Sequence, residues 1–166
     1  MSVNAIRPSI LPLRGDELGA LILWAAYLEL QEEGFPESLG DWTIDTVLAK
    51  RRRLKSQERI RYDQIIDVDF LWLPFDFDEV LKANDVKYPH WPVCIGSLYA
   101  LLRQLETLNR NTWDIDIVEL VPLKAFDAAT LEGKAKYSFS ILYSSAAKAI
   151  ENNLMIELPS HVKYCS

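Results

Sequence analysis

Between Asp16 and Glu29 the chain leaves a helix almost no polar face. Leu18, Leu21, Ile22, Trp24, Ala25 and Leu28, with Leu23 and Tyr27 beside them, place apolar groups on nearly every side of the axis. A helix of that kind cannot rest on a surface, so it predicts a central core helix. Asp16 is the expected N-terminal cap, Glu17 complements the positive end of the dipole, and Gly34 supplies the stop. The apolar run from Leu18 to Leu28 is shorter than the roughly 20 residues needed to span a bilayer. Burial in protein is therefore expected.

The rest of the chain is read around that helix. Residues 1–14, with Pro8 and Pro12, are expected to form an extended lead-in on the surface. Trp42 to about Leu54 predicts a second helix, which Gln57 to Ile66 can continue. Ile95, Leu98, Leu101, Leu102, Leu105 and Leu108 recur at helical spacing, and Pro92 suits a first turn, so a helix is expected over 92–109. Phe139, Leu142, Tyr143, Ala146, Ala147 and Ile150 predict another over 135–152. Asp127 to Gly133 reads as a helical turn and a break, and Trp113 to Leu120 fits either a strand or a capped turn. Leu154 to Leu158 is a candidate strand, and 161–166 a tail. The expected fold is mainly α, a single compact helical domain over 1–166 with a small β element; α+β is the alternative.

One stretch sets a problem for that fold. From Ile65 to Leu81, apolar residues, among them Phe70, Trp72, Phe75 and Phe77, are interspersed with Asp67, Asp69, Asp76, Asp78 and Glu79, and no basic residue intervenes before Lys82. The rings need burial, while carboxylates buried without partners are costly. Period-two alternation over 67–72 predicts a half-buried strand, which Pro74 interrupts. A short helix capped by Asp76 is expected over 75–83.

Composition narrows the function. The 166 residues carry a formal charge of −6, and 49% are hydrophobic, enough to build a sizeable core. Acidity disfavours general binding to nucleic acid or anionic membranes. The basic cluster Lys50 to Arg61 is read as a solvated helix face. Cys94 and Cys165 form no disulfide framework, and Met1 to Pro8 lacks the pattern of a signal peptide, so a soluble cytoplasmic protein is expected.

Motifs for catalysis are sparse. His90 lies four residues before Cys94, but that thiol reads better as a structural cysteine in an apolar stripe. Asp67/Asp69, Asp76/Asp78 and Asp114/Asp116 are Asp-x-Asp pairs that two-residue spacing could turn toward one hard cation. In segments with one wet face, acids occupy the wet positions anyway. No glycine-rich phosphate loop, zinc spacing or G-x-S-x-G elbow occurs. No catalytic residue, metal or cofactor is expected.

Aromatic anchors fringed by carboxylates have the composition of a docking surface for a basic protein. Asp67, Asp69, Trp72, Phe75, Asp76, Asp78 and Glu79 are the expected partner-binding residues. The expectation is a non-catalytic protein-binding protein, in its most concrete form a small acidic bacterial-type immunity or antitoxin-like inhibitor of a basic toxin such as a nuclease. The alternatives are an enzyme using Cys94 with His90 or an Asp-pair cation site, and a subunit or adaptor of a larger assembly.

Overall fold

The computed structural model describes residues 8–30, 61–84, 92–116 and 130–158, together with Ala49. In chain order these give β1 (Pro8–Ile10), α1 (Gly15–Leu30), α2 (Asp63–Ile66), β2 (Leu71–Leu73), β3 (Leu81–Asn84), β4 (Pro92–Ser97), α3 (Leu98–Asn111), α4 (Leu131–Glu151) and β5 (Met155–Glu157). Helices dominate, and five short strands form one mixed sheet in the order β1-β5-β2-β4-β3. The expected second helix, apart from the helical Ala49, and the 161–166 tail lie outside the described residues.

α1 is the core helix its sequence predicts: Leu18, Leu21, Ile22, Trp24, Ala25 and Ala26 are buried almost completely. Its start is built differently from expectation. Glu17 Oε1 accepts the Arg14 N–H at 2.9 Å, while Asp16 pairs with Arg14 and Lys134 at 3.3 and 3.6 Å. α4 packs along α1 and against α3. Ser138 Oγ donates to the Glu17 carbonyl, tying α4 to the first turn of α1. Trp113 packs between the two helices, stacked on Trp24 (5.5 Å, 22°) and edge-on to Phe139 (5.8 Å, 64°).

The lead-in does more than dock on the surface. β1 pairs in parallel with β5, and Leu11 and Leu13 after it enter the core. Trp113 to Asp116 is a turn. Asn109 holds it shut by accepting the Ile115 N–H (3.0 Å) and donating to the Ile115 carbonyl (2.8 Å), with Asp114 left-handed at φ 49°. Residues 117–120 lie outside the described residues. Gly133 falls within the first turn of α4 and marks no break: Thr130 caps that helix, its Oγ1 accepting the Gly133 N–H at 2.9 Å. Ala147 is exposed, whereas Phe139, Leu142 and Ala146 are buried as their spacing predicts.

Two helix expectations are corrected. Pro92 to Ser97 is a strand, paired in parallel with β2 and antiparallel with β3. Ser97 then caps α3, accepting the Ala100 N–H at 3.3 Å. Alternation of Val93 and Ile95 fits a strand as well as a helix over so few residues, and the cap decides the boundary. The helix expected over 75–83 does not form either. Its backbone bonds to side chains elsewhere instead: the Phe75 carbonyl and Phe77 N–H to Ser97 Oγ, and the Asp78 carbonyl, which a helix would have used internally, to Gln64 Nε2.

Candidate functional site

Residues 74–80 form an irregular loop between β2 and β3, and the side chain of Gln64 lies beneath it. Gln64 is fully buried. Its Nε2 donates to the Asp78 carbonyl (3.2 Å) and its Oε1 accepts the Ser97 N–H (2.9 Å). Its own carbonyl accepts Trp72 Nε1 at 3.0 Å, and its N–H reaches Gln104 Oε1 at 2.9 Å. One amide thus joins α2, the loop, β2 and the junction of β4 with α3. A buried polar group is tolerable only when satisfied in this way.

Close packing completes the support. Gly96 opposes Trp72 in the parallel register, and a Cβ on it would collide with Gln64 Oε1, Trp72 Cδ1 and Val68 Cγ2. Only glycine fits between the indole and the amide. The floor of the loop is rigid for that reason.

Above this floor the expected docking residues separate. Trp72 leaves the surface altogether: it is fully buried, in register with Ile156 and Gly96, and belongs to the core. Asp69 is half-buried and accepts the Cys94 N–H at 2.7 Å, so it fixes the start of β2 to β4. Asp67 ends α2, its N–H bonded to the Asp63 carbonyl at 2.8 Å. Phe75, Asp76, Asp78 and Glu79 are exposed together, with Phe75 50% and the Asp78 side chain 91% accessible. Leu81 (48%) and Tyr99 (38%), one position past the start of α3, are further exposed apolar groups. Neither residue stands out in the sequence: Leu81 is one aliphatic among several, and Tyr99 lies off the apolar face of its helix.

Arg103 crosses this surface. Its Nη2 lies 2.9 Å from Asp76 and 2.8 Å from Asp78; the Asp76 hydrogen bond first, and then the charges of both carboxylates, push its guanidinium above the ordinary arginine range, with burial opposing them. Glu79 forms no ion pair among the described residues. The Asp76/Asp78 pair therefore holds an arginine side chain, which demonstrates its geometry for a cationic group.

Cys94 is half-buried on β4, on a strand rather than a helical stripe. His90 and most of the Lys50 to Arg61 cluster lie outside the described residues; Arg61 itself is exposed. Among the described residues no group of three or more His, Cys, Asp or Glu gathers where it could hold a metal ion. Among them, too, no helix is long and apolar enough to cross a membrane. Comparison of the chain with protein-family models, with curated proteins and with solved structures finds no match in any of the three.

Proposed function

We propose that this is a non-catalytic protein-binding protein whose contact surface is the loop from Phe75 to Leu81, together with Tyr99. Its partner is a protein with a basic face. The most concrete form of the reading is an immunity or antitoxin-like inhibitor, acting in the cytoplasm, that covers the cationic surface of a toxin such as a nuclease.

The observation that carries the reading is an exposed acidic and aromatic loop clamped from below. Phe75, Asp76, Asp78 and Glu79 face solvent, yet Ser97 and Gln64 bond the backbone they stand on. A loop ordered in advance loses little entropy when a partner arrives. Carboxylates at its rim steer a basic protein and set its orientation, while Phe75 and Tyr99 supply the apolar contact.

Coexpression with the product of the adjacent reading frame tests this. The expected result is a copurifying complex that weakens with salt and is lost when Asp76→Asn, Asp78→Asn and Glu79→Gln are combined. A complex indifferent to those three substitutions, or no complex at all, overturns the reading.

A further inference from the structure

Among the described residues the sheet ends on β3, and its register fixes which backbone groups face outward there. Both main-chain groups of Cys94 turn toward β2: its N–H donates to Asp69 Oδ1, and its carbonyl accepts the N–H groups of Asp69 and Phe70, each at 3.3 Å. Successive residues of a strand point their N–H and C=O to opposite sides. Val93 and Ile95 therefore face β3, where they pair with Ala83 and Leu81. On β3 itself, Leu81 and Ala83 bond inward, and Lys82 and Asn84 direct their N–H and C=O to the outer edge. Pro92, opposite Asn84, fits this assignment because a residue turned away from β3 needs no N–H for the ladder. Among the described residues nothing pairs with that edge.

We propose that the outer edge of β3 receives an extended segment of the basic partner, which joins the sheet as a further strand. This rests on the acidic-surface reading above and names how the partner is held. Main-chain bonds to Lys82 and Asn84 supply the pairing, and alternate side chains supply specificity. Across the sheet, Glu157, Leu71, Ile95 and Leu81 lie in one row, and Leu81 is half exposed at its end. An apolar side chain on the incoming strand extends that row. Charge selects the occupant: Asp78 and Glu79 stand just before β3, with Val80 between, so a cationic end of the segment is accommodated there. Lys82 keeps further cations off the strand itself. It also disfavours a second copy of this chain, because antiparallel pairing of two β3 strands sets the two Lys82 ammonium groups opposite or diagonally adjacent.

The probe is a capped peptide with two arginines at one end followed by alternating valine and threonine. Its control carries N-methyl groups on alternate residues, which removes the donors a strand needs. With the full chain, the plain peptide is expected to slow amide exchange of Lys82 and Asn84 about tenfold while leaving Leu81 and Ala83 as they were. The methylated peptide and the Lys82→Pro protein give no such protection; Lys82→Gln, which keeps the N–H, retains it. Should Lys82→Pro fail to fold, the methylated peptide decides alone. Equal binding of both peptides, lost in Asp78→Asn with Glu79→Gln, overturns strand addition and leaves the acidic surface standing. Absence of binding by either peptide also overturns strand addition, and the triple-neutralised complex then decides the wider reading separately. A chain that dimerises alone and becomes monomeric with Lys82→Pro assigns the edge to a second copy, against the proposal.

Discussion

Glu29 Oε1, near the end of α1, accepts the Tyr62 N–H at 2.7 Å and the neighbouring Arg61 N–H at 3.0 Å. The acceptor belongs to the core helix and is almost fully buried, while the donors open the short α2, over thirty residues later. A carboxylate there satisfies backbone N–H groups that a helix start leaves without intrahelical partners. Glu29→Ala strands those donors, and a loss of about 2–4 kcal/mol in unfolding free energy is expected. Glu29→Gln keeps an acceptor oxygen and costs less. Urea denaturation of the two variants checks the order; equal losses would show that the bonds contribute nothing beyond charge.

Gly96 makes a sharper case, because there the side-chain volume itself is forbidden. Gly96→Ala drives a methyl group into Gln64, Trp72 and Val68, and overpacking of this kind costs about 1–3 kcal/mol. Trp72 must also shift, which alters tryptophan emission. A variant with unchanged stability and spectrum would mean that the floor beneath the loop yields easily.

Tyr62 gives the fold an alkaline limit. Burial pushes its phenol above the ordinary 10.0, aided by Glu29 and opposed by the Asn111 hydrogen bond and by Arg61. Tyr143 shifts the same way, through burial first and then Glu106. The folded state favours the neutral phenol, so its contribution is whole below pH 10 and drains away as pH rises through the folded value. Unfolding free energy measured against pH should fall above 10, and less steeply in Tyr62→Phe. Tyrosinate absorbance followed in parallel identifies the group; a decline identical in both proteins would place its cause elsewhere.

The residues explain why some of this could be read in advance. α1 and α4 announce themselves because their apolar positions outnumber any alternative, and β5 because Asn152 and Asn153 isolate it. The 74–84 region misled for the opposite reason. Its local pattern fits a capped helix, and the groups that override it, Gln64 and Ser97, lie 14 and 22 residues from the groups they bond. Ser97 did carry a local signal, a serine three residues before the Ala100 N–H it caps. Among the docking residues, Trp72 was misplaced because a ring beside carboxylates fits a core position as well as a surface anchor, and Asp69 because the Cys94 N–H that it accepts lies 25 residues away. Glu29 had no signal at all: a glutamate at the end of an apolar helix looks like its polar terminus.

Gln64 should control the loop without touching any partner. Gln64→Leu keeps the volume and removes the amide, leaving the buried Ser97 N–H and the part-buried Asp78 carbonyl without that partner. The expected cost is about 1–3 kcal/mol from the stranded Ser97 N–H, with a smaller addition from the Asp78 carbonyl. Limited proteolysis between Phe75 and Val80 should accelerate, since the backbone loses a tether there. Destabilisation without faster cleavage would mean that Ser97 alone holds the loop.

Arg103 separates stability from recognition. It spans Asp76 and Asp78 across an exposed surface, and pairs of this kind contribute about 0–1 kcal/mol. Arg103→Ala should therefore leave the denaturation midpoint almost unchanged. It also releases two carboxylates from their internal cation and makes the loop more acidic, so a basic partner gains two receptors for its own arginines or lysines. Affinity for the coexpressed partner should rise in Arg103→Ala, by about three- to tenfold at low salt, and the gain should shrink as ionic strength increases. Binding titrations at two salt concentrations measure both effects together. If affinity falls instead, the guanidinium is itself part of the contact, and the surface is read by a partner that brings an acid to it.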